Sequence, residues 1–161
     1  MSLGSRKEEY CPVARSVDLI GDRWSLLIVR NAFDGMTRFG DFQRSLGVAR
    51  NILSDRLRKL VEADILTLQG ASDGTAYQEY VLTEKGESLF PVVVALRQWG
   101  EQHLFEQGER HSLLVDKRTG KPVRFMTPAA HEGTALLAGD TEVQKVDELS
   151  ERPPPAQSSG R

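Results

Sequence analysis

The stretch from Phe39 to Asp64, FGDFQRSLGVARNILSDRLRKLVEAD, constrains the fold more than any other part of the chain. Two helical patterns meet in it at Gly47. Phe39, Phe42 and Leu46 mark the first, and Leu53, Leu57, Leu60 and Val61 mark the second. The second set recurs at i, i+4, i+7 and i+8, which at about 100° per residue makes one apolar stripe. Asn51, Asp55, Arg58 and Glu62 fall on the opposite side, with Ser54 and Lys59 on its shoulders. Helix, tight Gly-containing turn, and second helix with a hydrogen-bonding outer face is the helix-turn-helix plan, in which the second helix enters the major groove of DNA. Any two amphipathic helices joined by Gly share this pattern, so charge and the flanking elements have to discriminate. Between Arg38 and Lys59 six cations (Arg38, Arg44, Arg50, Arg56, Arg58, Lys59) stand against Asp41 and Asp55, an excess of four that suits a phosphate surface.

The flanks extend the plan. Pro12 suits the first position of a helix because its missing N–H would be unpaired there, and Val13, Val17 and Ile20 follow as a stripe that Gly21 ends. Asp22 is placed to cap a second helix with Trp24, Leu27, Ile28 and Phe33 on its apolar face. After the helix-turn-helix, Ile65–Gln69 and Tyr77–Leu82 read as strands around Asp73-Gly74, a hairpin signal, so a β-ribbon follows directly. Helix-turn-helix plus hairpin is a winged helix. Thr83 is placed to cap a further helix bearing Leu89, Val93, Leu96, Trp99 and Leu104, with Pro91 bending it or marking a late start. That helix carries more apolar surface than the small core needs, which predicts a dimer interface built from Val13, Val17, Leu89, Val93, Leu96 and Trp99.

Length and composition fit this plan. A chain of 161 residues with 39% hydrophobic content accommodates one domain and a small appendage. The predicted class is mainly α with small β (α+β), a winged helix-turn-helix with a short β-rich C-terminal appendage. The predicted divisions are a disordered arm over 1–9, the winged domain with its dimerisation helices over 10–106, the appendage over 107–148 and a flexible tail over 149–161. No apolar run approaches the roughly 18 residues of a membrane span and no leader pattern opens the chain, so a soluble cytoplasmic protein with no membrane partner is expected. The net charge of −2 decides nothing, because a basic patch acts locally.

Cys11-Pro-Val-Ala-Arg-Ser-Val-Asp-Leu-Ile-Gly-Asp-Arg-Trp-Ser-Leu-Leu-Ile28, Arg38-Phe-Gly-Asp-Phe42, Leu53-Ser-Asp-Arg-Leu57, Tyr80-Val-Leu-Thr-Glu-Lys-Gly86 and Trp99-Gly100, in that order, closely resemble the HxlR family of bacterial transcriptional regulators. The resemblance runs from Cys11 to about Leu104. It implies a homodimeric winged helix-turn-helix bound to double-stranded operator DNA, with dimer contacts from the first and last helices. Many members carry Ser-Pro where this chain has Ala49-Arg50. Ala49 cannot cap, so the recognition helix keeps free N–H groups that a phosphate could satisfy. The hairpin tip has no Lys or Arg, which moves specificity to the recognition helix.

On that helix Asn51, Ser54, Asp55 and Arg58 are the candidate base readers, since Arg suits guanine, Asn adenine and a carboxylate cytosine N4, each good pair discriminating by ~1–3 kcal/mol. The same residues are spaced for intrahelical pairs, Asn51 with Asp55 and Asp55 with Arg58, worth only ~0.2–0.5 kcal/mol. Arg38, Arg50, Arg56 and Lys59 are assigned to phosphates, Arg56 lying close enough to the stripe to be a structural pair instead. Cys11 precedes a helix start, where the helix dipole stabilises negative charge, and is the candidate redox sensor, an assignment the resemblance reinforces because some members sense oxidants through an N-terminal cysteine. As the single cysteine it has no resolving partner within the chain, and a half-buried packing role is the alternative.

Beyond Gly108, His111–Val115 and Pro122–Met126 read as a hairpin around a Gly-containing turn, with Leu136-Leu137 and Thr141–Val143 as further strand candidates. The appendage is expected to support the dimer, with a small-molecule effector pocket between it and the winged helix as second choice. His103, His111 and His131 lack ligand spacing, so no metal and no cofactor are predicted. No nucleophile elbow, phosphate loop or dinucleotide fingerprint is present, which argues against an enzyme. The reading is a dimeric DNA-binding regulator modulated by a small ligand or by thiol oxidation. The alternative is a winged-helix module for protein contact or ligand sensing that does not bind DNA.

Overall fold

Phe42, Leu53, Leu57 and Ile28 are fully buried and Leu60, Ile65, Leu66 and Val29 nearly so; around this cluster the computed structural model, which describes residues 10–145, arranges its helices. In chain order they are α1 (Pro12–Ile20), α2 (Arg23–Phe33), α3 (Phe39–Leu46), α4 (Arg50–Glu62), strands β1 (Leu66–Gly70) and β2 (Gln78–Leu82), α5 (Glu84–Glu87) and α6 (Phe90–His103). Two compact units are present, the first reaching Val123 and the second beginning at Arg124.

Local chemistry sets each boundary. Asp22 caps α2, its Oδ1 accepting from the N–H groups of Trp24 and Ser25 at 3.0 Å. Gly47, at φ +60°, supplies the left-handed turn that joins α3 to α4, and its N–H bonds to the Gln43 carbonyl at 2.9 Å. The end of α4 uses the same geometry without glycine. Asp64 sits at φ +58°, its N–H reaching the Val61 carbonyl and the Ile65 N–H the Leu60 carbonyl at 2.9 Å, with Leu60 and Ile65 packing together in the core. This closure delivers the chain straight into β1.

β1 and β2 pair antiparallel from Leu66↔Leu82 to Gly70↔Gln78, with Gly74 at φ +75° in the connecting turn, as the Asp-Gly signal predicts. The Tyr80 N–H also bonds the Thr37 carbonyl at 2.7 Å, tying the hairpin to the entry of α3. Thr83 caps only the short α5, through the Gly86 N–H at 3.0 Å; α6 begins afresh at Phe90, with Pro91 in its first turn. Pro91 therefore marks a late start and not a bend. Gly86 is required by contact, since a Cβ there would lie 2.1 Å from the Ile65 carbonyl oxygen.

The region after α6 departs from the prediction. Among the described residues the expected β-rich appendage has no strand, only isolated antiparallel bridges Val115↔Pro122 and Ala129↔Ala135 and a 3₁₀ turn over Ala138–Asp140. The turn at Asp116–Lys121 does form, closed by the Asp116 N–H on the Lys121 carbonyl at 2.9 Å. One bridge cannot propagate into a ladder because both arms are exposed and have no third strand to pack on. Leu136-Leu137 and Thr141–Val143 add no strand. The bridge at Val115 and Pro122 belongs to the first unit, which reaches Val123. The predicted arm over 1–9 and the tail over 149–161 lie outside the described residues. No helix among those described is long and apolar enough to cross a membrane.

Candidate nucleic-acid interface

α4 divides sharply by face. Leu53, Leu57 and Leu60 are buried against α2 and α3, while Asn51, Ser54, Arg58 and Lys59 are exposed. At its start Ala49 is extended (φ −61°, ψ 142°) and offers no side-chain cap, so the N–H groups of the first turn point outward unpaired by side chains. Arg50 flanks this end with its guanidinium carbon 4.9 Å from the centre of the Phe39 ring, and has no acidic partner among the described residues.

The candidate base readers separate into two pairs. Asn51 and Ser54 are exposed and make no side-chain hydrogen bond among the described residues. Asp55 and Arg58 are engaged. Asp55 accepts from Arg56 and Arg58 at 2.8 Å each and lies 3.1 Å from Lys59 Nζ. Lys59 first and Arg58 next hold its carboxyl below the ordinary aspartate range. Arg58 also donates to Glu62 at 2.7 Å, and Glu62, then Asp55, raises its affinity for the proton. The spacing i, i+3 and i+4 that places these residues on the outer face also lets them satisfy one another.

The phosphate candidates are likewise unequal. Arg56 reaches back to the α2 cap, its Nε 3.1 Å from Asp22 Oδ1, and with a side chain only 27% exposed it is a staple between α4 and α2. This is the structural alternative weighed for it. Arg38 is bound by Asp73 at the hairpin tip, lies 3.9 Å from Glu79 and stacks on Tyr77. Asp73 in turn accepts from the Thr75 hydroxyl at 2.7 Å and the Thr75 N–H at 3.0 Å. Those two bonds, then Arg38, pull its carboxyl down to about 2. Arg50 and Lys59 remain the exposed cations nearest the open end and outer face of α4.

Two residues escaped the sequence reading. Ile52 is 38% exposed in the first turn of α4, beside Asn51. Its position about 100° from Leu53, off the buried stripe, is the signal the sequence offers for it. Asp73 was read only as a turn former.

Elsewhere, Val13 and Val17 on α1 and Leu96 and Trp99 on α6 are exposed at 70%, 58%, 51% and 57%. An apolar groove of about 380 Å³ runs between α1, α2 and α6 beside Val13, Val17 and Leu96. Leu89 and Val93 are partly buried against the chain's own core instead. Cys11 is half-buried and caps α1, its Sγ accepting from the Ala14 N–H at 3.5 Å. Among the described residues no three His, Cys, Asp or Glu side chains converge as metal ligands would.

A family model for HxlR-like helix-turn-helix proteins matches residues 19–108, spanning α2 through α6 and thus the whole interface just described. The chain belongs to the HxlR-like helix-turn-helix family. An uncharacterized HTH-type transcriptional regulator of Mycobacterium tuberculosis is 47% identical over 100 residues, 62% of this chain and 63% of its own length, so the match spans less than two thirds of that relative. The crystal structure of PA1607, described as a candidate transcription factor, superposes with TM-score 0.82 at 52% identity, covering 88% of this chain and 99% of that one. The redox regulator HypR in its oxidised form gives TM-score 0.53 at 32% identity over 58% of this chain and 97% of its own. The HxlR-like fold and its relatives are those of winged-helix transcriptional regulators and not of enzymes.

Proposed function

We propose that the protein is a homodimeric transcriptional regulator that binds double-stranded operator DNA, placing α4 of each protomer in successive major grooves. One observation carries the reading: Asn51 and Ser54 stand exposed on α4 and unengaged among the described residues, next to an uncapped helix start and Arg50, while the other face of the helix is spent in the core. Asparagine can pair with adenine in two hydrogen bonds, and open N–H groups with a nearby guanidinium suit a phosphate. Asp55 and Arg58 serve as a brace that presents this end, with Arg58 free to exchange Glu62 for a guanine edge on docking. The exposed Val13, Val17, Leu96 and Trp99 form the subunit contact. The predicted Leu89 and Val93 contribute at its margin through their remaining exposed surface.

The test is binding of wild type and of an Arg50→Ala/Asn51→Ala variant to fragments upstream of the gene, across a salt series. Specific binding by wild type, with only salt-sensitive nonspecific affinity left in the variant, supports α4 as the reader. Absence of binding at low salt removes the reading.

A specific observation favours the alternative of a winged helix that does not bind DNA: Asp73 occupies Arg38 at a hairpin tip without Lys or Arg. It predicts no salt-dependent duplex affinity. Modulation by thiol oxidation is a further part of the proposal, motivated by Cys11 on α1 and by likeness to a redox regulator. Two Cys11 thiols from paired protomers would lose two protons and two electrons to an oxidant such as diamide. A covalent dimer on non-reducing gels, absent in Cys11→Ser, is expected.

A further inference from the structure

Within the first unit, a second cavity lies between α2, α6 and the segment that follows α6, with a volume of about 280 Å³. It is close to the lower end of the roughly 300–1,000 Å³ range of small-molecule sites. Leu27, Val93, Leu96 and Phe105 make its walls apolar. Its polar lining is lopsided in charge. Arg30 and Arg97 enter it against the single carboxylate of Glu101, which lies 3.7 Å from Arg97 Nη1. The His111 imidazole, its ring 4.8 Å from that of Phe105, completes the titratable lining without adding a negative charge. Arg97 spends that nitrogen on the Ser112 carbonyl and hydroxyl at 3.0 and 2.9 Å, leaving the rest of its guanidinium for a guest. An apolar chamber with one surplus positive charge selects an apolar guest with one negative charge.

One of these arginines is wired to the helix-turn-helix. Arg30 donates from Nε and Nη2 to Asn31 Oδ1 at 3.0 and 2.8 Å. Asn31, only 2% exposed, donates in turn to Ser45 Oγ on α3 at 3.0 Å. A carboxylate competes for the guanidinium fork better than a neutral amide oxygen does, because charge-assisted bonds are stronger. Drawing Arg30 into the cavity would leave the buried Asn31 oxygen without its donors, a state that costs enough to force the amide to move. The movement loosens the α2–α3 tie beside the reading helix.

We propose that this cavity binds a small aromatic carboxylate, and that the chain Arg30–Asn31–Ser45 reports its occupancy to the helix-turn-helix. The second half rests on the regulator reading; the first does not. The probe is 2-naphthoate, compared with neutral 2-naphthamide by calorimetry on the full chain without DNA. One naphthoate per chain is expected, held about ten-fold tighter than the amide. Arg97→Gln should bring the two ligands to about equal affinity, and Leu27→Trp, which fills the chamber, should abolish both while circular dichroism shows a native fold. Hydrogen exchange in α3 should quicken on naphthoate binding in wild type and not in Ser45→Ala. The site is overturned if naphthoate does not saturate, if the amide binds equally, if Leu27→Trp binds normally, or if affinity falls as protein concentration rises, which would give the cavity to a second copy. Binding without any change in α3 overturns the relay alone. DNA affinity of unliganded wild type, measured in parallel, reads the regulator proposal independently.

Discussion

Asp22 Oδ1 caps two N–H groups of α2 and also accepts from Arg56 of α4, so one oxygen fixes a helix start and an inter-helix seam. Burial by itself would raise this carboxyl, but bonds from Ser25 and Trp24 and the charge of Arg56 outweigh it and leave the group below the ordinary aspartate value of 3.8. A carboxyl held low in the folded state stabilises the protein above its unfolded value and loses that contribution as pH falls through the folded one. Asp22→Asn, which keeps a capping oxygen, is therefore expected to melt below wild type at pH 7, the gap closing below about pH 4 in thermal scans. Asp73 acts at the surface, where it engages the guanidinium of Arg38. If α4 reads DNA, Asp73→Ala should tighten binding and steepen the plot of log affinity against log salt by about one phosphate, ~0.9 in slope. An unchanged slope would show that Arg38 does not face the backbone.

At the scale of elements, the closures of α4 and α5 decide where the hairpin goes. Asp64 holds a left-handed conformation that glycine adopts without cost, so Asp64→Gly should raise stability by up to ~1 kcal/mol in urea unfolding. Gly86 admits no side chain because its Cβ would meet the Ile65 carbonyl oxygen. Gly86→Ala should cost ~1–3 kcal/mol by the same measurement, although alanine is the better helix former. The opposite signs of these two substitutions separate conformational strain from steric exclusion.

For the whole molecule, Val13 and Val17 of α1 and Leu96 and Trp99 of α6 stay exposed among the described residues, and an apolar groove runs beside Val13, Val17 and Leu96. Leu96→Asp should convert a dimer into a monomer by sedimentation, with the protomer still folded because Leu96 lies outside the buried core. Affinity for a two-half-site operator should then fall by two orders of magnitude or more, since pairing two weak half-sites supplies avidity without new contacts. A dimer unaffected by the change would move the contact away from α6.

The sequence by itself determined the order of elements from α1 to β2, the core stripe of α4, the caps at Asp22 and Thr83 and the Asp-Gly hairpin, because periodicity, capping and turn chemistry are local properties. It also placed Asn51, Ser54, Asp55 and Arg58 on one face, since helix geometry alone fixes that. Only the tertiary structure decided which other polar side chains are spoken for: Arg56 turns to Asp22 from 34 positions away, Arg38 to Asp73 from 35, and Asn31 bridges to Ser45. Among the described residues it also left the region after α6 with isolated bridges and no strand, although the sequence has strand-like runs there. Ion pairs and ladders depend on which distant groups the fold brings within hydrogen-bond reach, and one-dimensional spacing carries no record of that.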